Sequence, residues 1–147
     1  MRERGIIAVL FAAFAIPLLI LEACGGPTSD PEAIGLLKKC IAKENTNPDY
    51  FLYMGVAQQK SGHFDLALTN YQEALKLDKS NALVYNNMGS VHLMYFLRSR
   101  DLNQYNQAVA NFNNALAFNP FLQAAINGKD AAEKFKAQLE QSKSVKY

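Results

Sequence analysis

From residue 31 onward the apolar positions recur at helical spacing, and polar clusters containing Gly, Pro, Asn or Ser break the pattern into segments. Asp30-Pro31 is a helix start, and the first segment runs to Lys43. A helix is predicted over about 49–60, a turn at Ser61-Gly62, and a helix over about 64–77. Another starts at about 83, and a further one covers about 104–118. Pro120 marks its exit, because proline cannot continue a helix. A terminal helix over 121–142 carries the stripe Ala124, Gly128, Ala131, Phe135 and Leu139, with a charged opposite face.

The opening of the chain has a different pattern. Arg2 and Arg4 precede Ile6–Leu21, a run of 16 residues that is apolar except for Pro17. That is short of the ~20 residues a spanning helix needs and fits the core of a signal peptide. Residues 25–30 (Gly-Gly-Pro-Thr-Ser-Asp) read as a flexible tether. The chain therefore divides into a leader at 1–23, a tether at 24–30 and a helical domain at 31–143.

Leu21-Glu22-Ala23-Cys24-Gly25-Gly26 resembles a bacterial lipobox, with an aliphatic residue three places before the cysteine and a small one just before it. Glu22 departs from the pattern, which places a small or aliphatic residue there. The resemblance implies that Cys24 is acylated and becomes the mature amino terminus. An ordinary signal peptide, or an uncleaved anchor with Cys24 an incidental thiol, is the alternative. The aspartate that favours inner-membrane retention in enterobacterial-type sorting is replaced by Gly25, so the implied destination is the outer membrane, facing the periplasm.

The segments repeat. Gly55 and Gly89 lie 34 residues apart, as do Met54 and Met88, and Phe51 and Tyr85. The pattern Met54-Gly55 … Ala67 … Tyr71 … Ala74 resembles the tetratricopeptide repeat, a helix–turn–helix unit, and Met88-Gly89 … Ala108 … Phe112 … Ala115 … Pro120 resembles it again. The resemblance implies an all-α stack of antiparallel helical hairpins: a half repeat at Pro31–Lys43, two repeats and a capping helix. In the first repeat Gln58 stands where an aromatic is expected and Lys79 where proline is. Small residues at 55, 67, 89 and 108 let paired helices approach, Tyr71 and Phe112 fill the space beside them, and Ala74 and Ala115 admit the next unit. Between His92 and Ala108 the spacing is seven residues too long, and the excess falls within Leu93–Asn103. Shared between two helices, seven residues lengthen each by about one turn.

Apolar residues make up 50% of the chain and charged residues 19%, which excludes a disordered composition. Beyond the leader, thirteen basic residues face eleven acidic ones, so no basic face points to nucleic acid. Two cysteines make neither a disulfide framework nor a four-ligand zinc site. His63 and His92 are not at helical ligand spacing, and no nucleophile–base or paired-carboxylate motif appears. No catalytic residue, metal or cofactor is assigned, and the chain is read as a non-enzyme.

In tetratricopeptide domains the first helix of each repeat lines a groove. By position, the resemblance places Asp49, Leu52, Val56 and Gln59 there from the first repeat, Leu83, Asn86, Ser90 and Leu93 from the second, and Asn127 from the last helix. Asparagines serve the backbone of an extended peptide and leucines its side chains. Leu52 and Val56 stand where related chaperone-binding domains place a carboxylate clamp, so no clamp is expected. The alternative is that these are rim positions of a scaffold that binds elsewhere. In the insertion, Tyr95 and Phe96 beside Arg98 and Arg100 form an expected partner- or membrane-contacting tip; the alternative is that its apolar residues fold back onto the stack. Ile34, Leu36, Leu37 and Ile41 on the lone first helix offer a dimer surface. Together these point to a lipid-anchored scaffold or assembly factor of the bacterial envelope, pilotin-like or accessory to an envelope complex. Its expected partner is an envelope protein or an extended peptide segment. A general peptide-binding or chaperone-like module is the second reading.

Overall fold

The computed structural model describes residues 31–144 as six helices. The leader, Cys24 and the tether lie outside the described residues. In order the helices are α1 (Pro31–Lys43), α2 (Pro48–Lys60), α3 (Phe64–Leu77), α4 (Ala82–Ser99), α5 (Leu102–Phe118) and α6 (Gln123–Ser144).

The helix starts follow from local chemistry. Asn47 accepts the Asp49 N–H at 2.9 Å, Asn81 that of Val84 at 3.2 Å, and Asp101 that of Asn103 at 2.9 Å, each satisfying a donor the helix itself leaves free. Pro48 sits in the first turn of α2, where its missing N–H costs nothing. Gly62, at φ +80°, turns the chain between α2 and α3 in a conformation glycine adopts freely. The turn after α4 uses Arg100 at φ 57°, whose N–H closes on the Phe96 carbonyl at 2.8 Å.

α2 packs on α3 and α4 on α5 as hairpins; α1 covers α2, and α6 covers α5 and α4. α4 has 18 residues against 13 for α2, and α5 has 17 against 14 for α3, so the insertion is absorbed as helix on both sides of the turn. A first core joins Leu52, Phe64, Ala67, Tyr71 and Ala74 to Val84, Met88 and Val91 of α4. A second joins Ala108, Phe112 and Ala115 to Ala125 of α6. Each repeat's core is thus completed by the next helix in line, the nearest-neighbour logic of a helical solenoid.

The close approach has a specific geometry. A Cβ on Gly55 would lie 2.6 Å from Cδ1 of Tyr71, and one on Gly89 would lie 2.7 Å from Cε1 of Phe112. Gly128 of α6 faces the far end of the same Phe112 ring, where an added Cβ would lie 2.5 Å from Cζ. Phe112 is therefore clasped between two glycines on two helices. The aromatic ring lies directly over the glycine, so the small residue faces the large one and not merely its neighbour.

Two sequence expectations are corrected. On α6 the covered alanines are Ala125 and Ala132, while Ala124 and Ala131 face out. On α1 the apolar stripe is not bare: Ala33 and Leu37 are buried and Ile34 and Ile41 half-buried, leaving Leu36 exposed. Cys40 is half-buried.

Candidate interaction face

Three sides of α4 are occupied. Val84, Met88 and Val91 enter the first core, Tyr85 and Leu93 pack on the second, and Phe96 is sealed between Tyr105 of α5 and Phe135 of α6, with ring centroids 5.5 and 5.2 Å away. At 100° per residue the remaining side carries Leu83, Ser90, Met94 and Leu97, flanked by Asn86 and Asn87. Leu83 is 52% exposed, Met94 38% and Leu97 40%, so this side is an apolar strip left open. The Ser90 hydroxyl donates to the Asn86 carbonyl at 3.0 Å.

The expected groove residues sort unevenly. Val56 and Ser90 are half-buried. Gln59 is also half-buried, and its Oε1 accepts the Tyr71 hydroxyl at 2.6 Å. Burial drives the Tyr71 phenol well above its usual range, so it acts as a donor. Leu52 is not a groove residue: at 5% exposure it belongs to the first core. Asn86, at the position 34 residues on, is 9% exposed. Its amide N–H donates to Asn87 Oδ1 at 3.3 Å, and among the described residues its own Oδ1 has no partner. Leu93 turns to the second core, and Asn127 is exposed, accepting from Gln123 at 2.8 Å. The open strip includes Met94 and Leu97, which the sequence reading left out of the groove. The signal for them was the continuation of Leu83 and Ser90 at further helical steps.

The insertion tip is the main correction. Phe96 is fully buried. Tyr95 donates to Asp65 Oδ1 at 2.6 Å and meets the Phe64 ring edge-on, with centroids 5.6 Å apart. Arg98 lies over that same ring, its Cζ 5.0 Å from the centroid. Burial, and then the bond to the Asp65 carboxylate, push the Tyr95 phenol up to about 12. The tip has folded back as a strap onto α3, because Phe64 at the head of α3 offers an aromatic face within reach of the extra turn. Arg100 serves as the left-handed turn residue.

His63 is exposed in the α2–α3 turn, and the half-buried His92 places Nδ1 2.9 Å from Gln104 Oε1. Among the described residues, no three His, Cys, Asp or Glu side chains come together as a metal site would require, and no helix is long and apolar enough to cross a membrane.

This geometry is that of a tetratricopeptide-repeat scaffold, a fold that is typically non-enzymatic. The sequence model described as "TPR repeat" matches residues 60–94, which run from the end of α2 into α4. The fold is similar to the Arabidopsis OM64 TPR domain, with 22% identity over 69% of this chain and 78% of that one at a TM-score of 0.60. It is also similar to PcrH, whose crystal structure is a complex with the chaperone binding region of PopD, with 18% identity over 97% of this chain and 99% of that one at a TM-score of 0.60. MamA matches with 24% identity over 78% of this chain and 70% of that one, at a TM-score of 0.53. Comparison with curated protein sequences gave no match. Among the described residues the chain is thus a six-helix stack of the tetratricopeptide type.

Proposed function

We propose that this module is a lipid-anchored scaffold or assembly factor of the bacterial envelope, holding a peptide segment of an envelope protein on the open side of α4. The observation that carries the reading is the exposed Leu83, Met94 and Leu97, with the half-buried Ser90 between them, on one side of a helix whose other sides pack against the stack. Exposed leucine and methionine beside the half-buried amide of Asn87 suit an extended peptide, whose side chains need apolar contact and whose backbone needs hydrogen bonds. Three acyl groups on Cys24 would hold the domain at the membrane, each buried CH₂ contributing ~0.8 kcal/mol. The six residues after it reach at most about 20 Å. Anchoring confines the module near membrane partners and raises its effective concentration there.

The test has two arms. Labelled palmitate should be incorporated into the chain and lost in Cys24→Ser. Crosslinking in intact cells should recover one stoichiometric partner, and Leu83→Asp with Leu97→Asp should lose it. An unlabelled chain removes the anchor, and undiminished capture by the double variant removes the strip. The resemblance to PcrH in its complex favours a second reading, a chaperone-like module for several clients. Many weakly held proteins in the crosslinking arm would select it.

A further inference from the structure

Residues of α1, α2 and α3 line an open crevice of about 440 Å³. Its walls are Ile41, Phe51, Met54 and Leu66, with Lys38 and Gln58 as the polar groups free to act. A third polar residue, Asn70, is committed: its Nδ2 donates to the Leu66 carbonyl at 2.8 Å. The crevice coincides with a departure from the repeat pattern. Position 58 is where an aromatic side chain is expected, and Gln58 is slimmer and polar. At the equivalent place in the second repeat, His92 is held by Gln104. Among the described residues Lys38 has no ion-pair partner, and the Gln58 side chain makes no hydrogen bond.

The geometry points to a binding site for a single-chain amphiphile with an anionic head, a long-chain fatty carboxylate, with its chain on the apolar walls and its carboxylate at Lys38 and Gln58. Two arguments select this ligand class. The volume is in the range of small-molecule sites, ~300–1,000 Å³. A peptide laid in the crevice would bury backbone N–H and C=O groups that all require partners, and these walls offer almost none. An acyl chain makes no such demand, and its one charge meets one uncompensated ammonium. Met54 in the floor is unbranched and adaptable, suited to a flexible chain.

The site is independent of the acyl groups expected on Cys24, and its test separates the two. The full chain carrying Cys24→Ser is titrated with parinarate, a straight-chain fatty carboxylate that fluoresces when its chain leaves water. Palmitate should displace the probe. Gln58→Tyr, which restores the aromatic, should abolish the crevice-dependent signal while raising Tm by roughly 3 °C through filled space. Lys38→Gln, an exposed change that leaves the fold alone, should weaken palmitate roughly fivefold and leave hexadecanol unchanged. Binding unaltered in Gln58→Tyr, or hexadecanol displacing the probe as well as palmitate does, overturns the assignment. So does displacement by an apolar peptide with palmitate inactive. Should Gln58→Tyr fail to fold, the Lys38→Gln comparison decides alone.

Discussion

The glycine–aromatic contacts can be tested by one substitution made at several places. Gly→Ala in a helix interior gains ~1 kcal/mol of intrinsic propensity. At Gly35 of α1 an added Cβ meets nothing within 4 Å, so that gain should appear nearly whole, as stabilisation of about 0.5–1 kcal/mol. At Gly55 and Gly89 the same Cβ would come within 2.8 Å of two ring carbons of Tyr71 or Phe112, both fully buried. Relief requires moving a helix by nearly an ångström, because neither ring has free space to swing into. Overpacking of this kind costs ~1–3 kcal/mol, which exceeds the propensity gain. The expected result is stabilisation at Gly35 and net destabilisation of about 1–2 kcal/mol at Gly55 and Gly89, read from urea unfolding by circular dichroism at constant m-value. At Gly128 the obstacle is the far end of the Phe112 ring, and among the described helices α6 packs only against α4 and α5, so the effect should be smaller. In a Phe112→Leu background the cost of Gly89→Ala should fall, with a coupling energy of about 1 kcal/mol in the double-mutant cycle. Gly89→Ala stabilising to the same degree as Gly35→Ala, or zero coupling to Phe112, refutes the close-packing account.

The strap makes three further expectations. Phe96→Ala should cost about 3–5 kcal/mol in urea unfolding because the ring is fully buried, while Arg98→Ala, losing an exposed cation–π contact, should cost about 0.5–1 kcal/mol. Arg100→Gly should raise stability by about 1 kcal/mol, since φ 57° is unfavourable for a side-chain-bearing residue; a fall in Tm would mean the arginine makes an offsetting contact. The Tyr95 phenol holds its proton more tightly folded than unfolded, so its contribution is full below pH 10 and lost as pH rises through about 12; Tyr95→Phe should remove that part of the alkaline decline.

Much of the fold was legible because the helix boundaries carry chemistry of their own. The expected starts at about 49, 64, 83 and 104 and the turn at Ser61-Gly62 lie within two residues of the observed boundaries, where Asn47, Asn81 and Asp101 cap their helices. The alanine faces of α6 were harder. Ala124 and Ala125, like Ala131 and Ala132, are adjacent and identical, so an apolar pattern fits either register. The choice is made in three dimensions by Gly128 seating on Phe112, a residue of another helix. Leu52 was misplaced because position counting assigns a face to the repeat and not to the residue. The burial of both Leu52 and Asn86 shows that this place is covered whichever side chain occupies it. Phe96 was ambiguous for a similar reason, since its partners are Tyr105 and Phe135 on other helices.

The insertion has two faces with opposite consequences. Its Tyr95, Phe96 and Arg98 bind the second repeat to α3 in front and α6 behind, tying together units that a solenoid otherwise joins only through neighbouring cores. Its Met94 and Leu97 point the other way and carry the apolar strip two turns, about 10 Å, beyond Ser90. An α4 of the length of α2 would end at Met94 and leave out Leu97. The same seven residues therefore stiffen the stack and lengthen the surface it offers. A helix that projects beyond its neighbours without a strap would fray, as helix ends with few tertiary contacts do. The hydrogen bond from Tyr95 to Asp65 and the arginine over Phe64 fix that end, so the exposed leucine and methionine are presented on a rigid helix. On the proposed reading, rigidity there would lower the ordering cost of binding a peptide, so changes to the strap should reach affinity even where they touch no ligand.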